Sequence, residues 1–144
     1  MIAFYGADVA VPLKQRMKIK RWLNDVAVAR GFVIQTLSYV FCSDEFLLKM
    51  NNDFLQHDYY TDIITFPIQE ESGTVNGECY ISVDRVRDNA KENRVTFAIE
   101  LNRVMVHGLL HLMGEKDKSK EEIERMRAAE NKALNHWRST WNAI

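Results

Sequence analysis

Short apolar runs along the chain alternate with longer segments of helical spacing. The short runs are rich in β-branched and aromatic residues, which are typical of strands. They predict strands at Ile2–Tyr5, Phe32–Cys42, Ile63–Pro67 and Cys79–Val83. The last two enclose a polar loop with the turn dipeptide Asn76-Gly77, so we expect them to pair as a hairpin.

The longer segments carry apolar residues at helical spacing and have recognisable start and stop signals. They predict helices from Pro12 to Arg30, from the Ser43-Asp44 cap to about Leu55, over 84–94, from Thr96 to Met113, and from the capping box Ser119–Glu122 onward. Because strands and helices interleave, we expect an α+β fold with a mixed sheet of about four strands packed with helices. The whole chain, 1–144, is expected to form a single domain.

Composition and charge narrow the class of protein. The chain is 47% hydrophobic and 27% charged, as in ordinary globular proteins. No apolar run approaches the roughly 18 residues of a membrane helix, so we expect no membrane partner. Cys42 and Cys79 lie in strand-like runs and are interpreted as buried thiols in a reducing, cytoplasmic compartment. The net charge of −1 hides an acidic middle, 32–82, between two basic ends, which permits a basic surface without establishing one.

The most informative segment runs from Val104 to Asp117. His107 and His111 are four residues apart, so on a helix their rings share one face, with Cβ atoms about 6 Å apart. The residues around them are apolar on almost every side, which predicts a buried helix whose imidazoles need partners. Gly114 can end the helix in a left-handed conformation and return Asp117 to the same face. These residues predict a divalent metal site of His107, His111 and Asp117.

The spacing H-x-x-x-H-x-x-G-x-x-D resembles the metal-binding helix of the metzincin proteases. Asp117 replaces their third histidine, and a carboxylate is an accepted zinc ligand. Gly108 stands where they keep a catalytic Glu, which argues against a zinc peptidase. Three protein ligands leave the open position of a catalytic site, where zinc could activate a water. The carboxylate makes manganese, nickel or iron more competitive with zinc.

One carboxylate interrupts the apolar stripe of the final helix. Glu130 would either form a salt bridge at the helix edge, accept a hydrogen bond from a metal-ligating imidazole, or hold the 58–62 turn. His57 and His136 lie in polar contexts and are expected at the surface. The stripe consists of Ile123, Met126, Glu130, Leu134, Trp137 and Trp141.

Three blocks of the sequence resemble the YbeY metalloendoribonucleases, which mature ribosomal RNA in bacteria. The first is His107-Gly-Leu-Leu-His-Leu-Met-Gly-Glu-Lys-Asp117, in which Gly108 fits the family pattern. The second runs from Met50 to Pro67 and contains Asp58 and Thr61-Asp62. The third is Gly77-Glu-Cys-Tyr-Ile-Ser82. The blocks occur in the family's order.

The resemblance implies a single-strand-specific, metal-dependent endoribonuclease that acts on the 3′ end of small-subunit ribosomal RNA and in ribosome quality control. It also implies ribosomal RNA, the ribosome or ribosome-associated proteins as partners, and zinc at a three-histidine site, in which Asp117 is a departure. A second departure is Leu55, which stands where the family has an arginine and cannot contact phosphate as an arginine does. A third departure, Glu78 in place of the family's Asp, is a milder change. By the same resemblance, four residues are expected to line the cleft: Asn51, Thr61, Asp62 and Thr65.

Several functions remain open from the sequence. The metal could activate a water for attack on phosphorus, or the ribose 2′-hydroxyl could attack, and no side chain is assigned as general base. A ribosome-associated maturation factor with a largely structural metal is an alternative that Leu55 favours. A hydrolase of another bond is disfavoured by Gly108. An iron oxygenase with a facial triad is disfavoured by the helical pairing of the histidines.

Overall fold

One mixed four-stranded sheet organises the fold in the computed structural model, which describes residues 1–57 and 59–141. Its strands are β1 (Ile2–Gly6), β2 (Val33–Cys42), β3 (Ile63–Pro67) and β4 (Thr74–Ser82), in the order β1-β2-β4-β3. Strands β1 and β4 are parallel to β2, while β3 pairs antiparallel with β4. The predicted α+β class, the mixed sheet and the β3–β4 hairpin are confirmed.

In the described part of the chain, five helices surround the sheet, and four of them begin at a capping hydroxyl. They are α1 (Arg16–Ala29), α2 (Asp44–Leu55), α3 (Val83–Asn93), α4 (Phe97–Leu112) and α5 (Lys120–His136), followed by a π-helical turn at Trp137–Trp141. The side chains of Ser43, Ser82, Thr96 and Ser119 each accept a hydrogen bond from a backbone N–H in the first turn. The predicted capping box of Ser119 and Glu122 is present.

Two predicted boundaries are wrong. Helix α1 begins at Arg16 and not at Pro12, because the preceding segment packs onto the core through Val9, Val11 and Leu13. The Asn76-Gly77 pair lies inside β4, where the Asn76 side-chain oxygen accepts a hydrogen bond from the Thr36 hydroxyl at 3.0 Å. The turn is made further back, at Gly73, whose φ of +77° suits glycine.

Helix α4 packs closely on the sheet because a glycine lies on each side of the contact, Gly108 on α4 and Gly77 on β4. A Cβ at Gly108 would be 2.7 Å from Cδ1 of Ile63 and 2.8 Å from Sγ of Cys79. A Cβ at Gly77 would be 2.7 Å from a methyl of Leu112. The Gly108 side of α4 is therefore fixed against β3 and β4, and the adjoining side of the helix carries the two histidines.

The main core lies between α1, α4, α5 and the sheet, and Cys42, Leu47 and Ile64 form a second cluster between α2 and the sheet. The largest fully buried side chains include Trp22, Leu37, Tyr39, Phe41 and Met105. Both cysteines are free and buried, as predicted, and burial raises the pKa of the Cys42 thiol to about 12. Among residues 1–57 and 59–141, none of the helices has the length and apolar character needed to cross a bilayer.

Candidate metal centre

The three predicted ligands come together at the end of α4. Oδ2 of Asp117 lies 3.3 Å from Nε2 of His107 and 3.3 Å from Nε2 of His111. The two imidazole rings are 4.5 Å apart and nearly perpendicular, at 85°. Gly114, with φ of +102°, turns the chain at the helix end and returns Asp117 to the histidine face.

Each imidazole is oriented by a hydrogen bond at its other nitrogen. Nδ1 of His111 donates to the backbone carbonyl of Glu115 at 2.9 Å, because a carbonyl can only accept. Nδ1 of His107 bonds the carboxylate of Glu130 at 2.7 Å. Both Nε2 atoms are thereby directed toward Asp117. Such partners fix the tautomer and the ring orientation that a metal ligand needs.

The donor set fits a small divalent transition metal. Neighbouring ligand atoms of a tetrahedral site with bonds of about 2.0–2.1 Å lie roughly 3.3–3.4 Å apart. The two separations of 3.3 Å match this spacing, and the three ligand atoms all lie within 4.8 Å of one another. The histidine side chains are 21% and 25% exposed and the Asp117 side chain 38%. The imidazoles are less buried than the apolar pattern of the helix predicted, and solvent reaches the centre.

The electrostatics of the site favour a cation. Burial opposes protonation of His107, but the hydrogen bond and charge of Glu130, together with Asp117 and Asp62, raise its pKa. Burial alone would raise the pKa of Glu130, yet the hydrogen bond and charge of His107, with help from Arg103, lower it. Burial raises the pKa of the Asp62 carboxyl. Positive charge is stabilised among these carboxylates.

Two arginines hold Glu130 in place, and neither was predicted. Nη1 of Arg103 lies 3.1 Å from Oε1 of Glu130, and Nη1 of Arg127 lies 3.3 Å from the same oxygen. Glu130 is only 4% exposed, so these contacts balance a buried charge. The available signal for Arg103 was its position one helical turn before His107.

The four residues expected to line the cleft occupy two kinds of position. Asp62 and Thr65 lie beside α4: the charge of Asp62 acts on His107, and Cγ2 of Thr65 would be 3.5 Å from a Cβ at Gly108. Asn51 is buried, and its amide donates to the carbonyl of Tyr59 at 2.9 Å. Thr61 donates to the carbonyl of Ile63 at 3.4 Å. The last two shape the loop before β3, and they do so through backbone contacts.

A cleft of about 670 Å³ opens next to His111. It lies between the β3–β4 connection and the loop after α4, and is lined in part by Thr65, Asn76, Glu70 and Lys116. A second, more apolar cleft of about 570 Å³ lies between α1 and α5 and is lined by none of the three candidate ligands. Of the three candidate ligands, His111 lines the first cleft, which therefore borders the candidate metal centre on that side.

The remaining sequence predictions fall outside the ligand cluster. Leu55 is 41% exposed at the end of α2 and offers no charge. His57 is exposed, while His136 is half-buried, and its Nε2 lies 2.9 Å from Oδ2 of Asp25. Asp58 lies outside the described residues.

Comparison with known proteins identifies the family of the chain. The family model for endoribonuclease YbeY matches residues 5–138. An endoribonuclease YbeY of Cytophaga hutchinsonii is 52% identical over 92% of this chain and 93% of its own. One from Porphyromonas gingivalis strain W83 is 48% identical over 96% and 91% of the two chains. A solution structure of a Thermotoga maritima protein superposes with a TM-score of 0.65 at 30% identity, over 98% and 94% of the chains. The chain belongs to the endoribonuclease YbeY family.

Proposed function

We propose that this protein is a metal-dependent endoribonuclease that cleaves single-stranded RNA in the maturation of the small-subunit ribosomal RNA 3′ end. One observation carries the proposal. Nε2 of His107, Nε2 of His111 and Oδ2 of Asp117 converge at 3.3 Å spacing beside an open polar cleft. Membership of the endoribonuclease YbeY family supports RNA as the substrate.

His107, His111 and Asp117 are the proposed ligands, and zinc is the proposed metal. A bound divalent ion supplies Lewis-acid stabilisation of phosphoryl charge and lowers the pKa of water. The carboxylate of Asp117 makes the donor set harder than three imidazoles, so manganese, nickel and iron compete more effectively with zinc.

The chain's own residues hold this constellation rigid. Glu130 and the carbonyl of Glu115 fix the two rings before any substrate arrives. Preorganised groups act without reorganisation during the reaction, which is the usual source of large catalytic effects. We propose that Thr65 lines the cleft beside His111 and that Asp62 lies near His107, while Asn51 and Thr61 hold the loop before β3.

The proposal extends to the setting of the enzyme. The described residues 1–57 and 59–141 share the sheet and the helices around it, and we assign residues 1–144 to one catalytic domain. Ribosomes or ribosome-associated proteins are the proposed partners, in the cytoplasm, with a role in ribosome quality control. Late ribosome maturation is the natural setting for a nuclease that acts on ribosomal RNA ends.

A second candidate function is a maturation factor in which the metal mainly stabilises the fold. The specific observation in its favour is Leu55, which is 41% exposed and carries no charge for phosphate. A protein of this kind would bind metal and RNA but cleave slowly or not at all.

The deciding experiment compares wild type with His111→Ala and with the control His136→Ala. Metal content, secondary structure by circular dichroism, and cleavage of single-stranded ribosomal RNA with metal added back are measured for each. We expect His111→Ala to lose metal and cleavage while His136→Ala keeps both. Equal cleavage by wild type and His111→Ala would remove the metal from the mechanism. A folded, metal-loaded wild type without cleavage supports the maturation-factor function.

End-group analysis of the products separates two routes of attack. Attack by water leaves no cyclic phosphate, whereas attack by the ribose 2′-hydroxyl leaves a 2′,3′-cyclic phosphate. We expect the first result, because the centre is open to solvent at Asp117, whose side chain is 38% exposed.

A further inference from the structure

Three exposed aromatic residues lie at the end of α2 and in the segment before β3. Phe54 is 68% exposed, Tyr59 56% and Tyr60 47%. Large apolar side chains grouped at a surface mark a site of interaction more often than single exposed ones do. Two of the three, Tyr59 and Tyr60, also make hydrogen bonds and ring contacts with neighbouring side chains. We call these two rings the tyrosine platform.

Tyr59 is held at three points. Its ring stacks on the imidazole of His57, with centroids 5.1 Å apart and an angle of 20° between the planes. Its hydroxyl lies 3.0 Å from Nδ1 of His57, and its backbone carbonyl accepts the amide hydrogen bond of the buried Asn51 at 2.9 Å. A ring with this support loses little conformational entropy when a ligand binds to it.

Tyr60 is fixed by different neighbours. The guanidinium of Arg85 lies over its ring, 5.3 Å from the centroid, and its hydroxyl donates to Glu45 at 3.3 Å. Arg85 is itself anchored by an ion pair with Asp44. Arginine over an aromatic ring is an arrangement that also stabilises stacked bases at single-strand binding sites.

The segment 60–63 connects the tyrosine platform to the helix that carries the candidate metal ligands. Tyr60 is two residues from Asp62, so their Cα atoms are within about 7 Å of each other. Asp62 is followed by Ile63, whose Cδ1 would lie 2.7 Å from a Cβ at Gly108, the neighbour of His107. The segment therefore leads directly from the platform to the helix that carries the histidines.

We propose that the tyrosine platform stacks unpaired bases of an RNA strand whose phosphate is held at the metal centre, an inference that rests on the proposed function. Nearby charges disfavour a surface that recognises phosphates alone, because Asp44, Glu45 and Asp53 are acidic and the guanidinium of Arg85 is already paired with Asp44. Aromatic faces need no such charge, since every base has a π face. The platform accordingly accepts many sequences, and its contribution to affinity depends little on salt.

The test measures binding of a short fluorescent oligoadenylate and of a matched abasic ribose-phosphate chain, using the metal-loaded protein. The variants are Tyr59→Ala, Tyr60→Ala and the conservative Tyr59→Phe and Tyr60→Phe. Tyr5→Ala is the control, because Tyr5 is 54% exposed on β1, at the opposite edge of the sheet. Thermal unfolding of each variant checks that it is folded.

We expect each alanine variant to weaken oligoadenylate binding roughly 5- to 150-fold, as for other base–aromatic stacks. The phenylalanine variants and Tyr5→Ala should bind like wild type, and the abasic chain should bind all variants equally. If wild type cleaves RNA and the Tyr59→Ala and Tyr60→Ala variants bind RNA as tightly as wild type does, the tyrosine platform is overturned and the proposed function remains intact. Wild type that neither binds nor cleaves single-stranded RNA would overturn the proposed function itself. A dimeric wild type made monomeric by these variants would show a protein interface instead and overturn the platform.

Discussion

Glu130 is the residue through which α5 acts on the candidate metal centre. It is 4% exposed, bonds Nδ1 of His107 at 2.7 Å and is balanced by Arg103 at 3.1 Å. A carboxylate in this position makes the imidazole a stronger ligand and prevents its rotation. The structure therefore favours the hydrogen bond to a candidate metal-ligating imidazole among the interpretations that the sequence left open. Its contacts with Arg103 and Arg127 form part of the same arrangement.

Glu130→Gln tests this role. The amide keeps the size of the side chain but removes its charge, so metal affinity should fall roughly 10- to 100-fold. Competition with a chromophoric chelator measures that affinity. Glu124→Gln on the exposed side of α5 is the control and should bind metal like wild type. Equal affinities for the two variants would show that Glu130 serves the fold alone.

At the scale of single residues, the sequence predicted which side chains meet at the site better than it predicted which backbone groups do. The spacing of His107 and His111 on a helix, and the turn at Gly114, were sufficient to place Asp117 near them. The carbonyl of Glu115, which orients His111, left no trace in the sequence, because every residue has a carbonyl and its direction depends on the turn. The burial of the rings was overestimated, since apolar neighbours do not show where a cleft opens.

At the scale of elements, the sequence predicted the strands through their β-branched runs and the helix starts through their caps. It failed where tertiary contacts decide. Residues 11–13 carry a proline that suits a helix start, but the segment is used to cover the core through Val11 and Leu13. Asn76-Gly77 suits a turn, but Gly77 is needed in β4 because Leu112 leaves no room for a Cβ.

Gly108 in α4 shows the same conflict between local preference and tertiary packing, and it leads to a prediction. Glycine in a helix costs about 1 kcal/mol relative to alanine, so Gly108→Ala would stabilise an isolated helix. Here the new Cβ would lie 2.7 Å from Cδ1 of Ile63 and 2.8 Å from Sγ of Cys79. We expect the clash to win and to lower the free energy of unfolding by about 1–3 kcal/mol in urea denaturation.

The matched control for Gly108→Ala is a double variant with Ile63→Val, which removes the nearest methyl group. The second substitution should recover part of the lost stability, so the two effects should not add. A Gly108→Ala protein as stable as wild type would show that α4 can move away from the sheet at no cost.

Asp44 links the beginning of α2 to the beginning of α3 and predicts a pH dependence. Burial opposes its ionisation, but hydrogen bonds from Arg85 and Ser82 outweigh this and lower its pKa. The stabilisation is therefore complete above the unfolded pKa of about 3.9 and is lost as the pH falls through the lower folded value. Asp44→Asn should cost about 1–2 kcal/mol at neutral pH, since the ion pair is partly exposed.

Urea unfolding of wild type and Asp44→Asn at several pH values measures this difference. It should shrink steadily as the pH falls below about 3.9. Asp53→Asn, on the exposed side of α2, is the control and should follow wild type at every pH. A difference between wild type and Asp44→Asn that stays constant into the acid range would mean that packing, and not charge, explains the loss.

At the scale of the whole molecule, the candidate metal centre joins parts of the chain that the sheet does not connect. His107 and His111 come from α4, Asp117 from the following loop, and Glu130 from α5. Unfolding separates these groups, so an ion that binds only the folded protein must stabilise it. At a free concentration one hundred times the dissociation constant the gain is about 2.7 kcal/mol. For a chain of 144 residues this corresponds to a rise in Tm of roughly 5–10 °C.

Calorimetry across a titration of zinc and of manganese should show this rise for wild type and for His136→Ala, and none for His111→Ala. If His111→Ala gained as much as wild type, the ions would be binding elsewhere, and the candidate centre would lose its thermodynamic support.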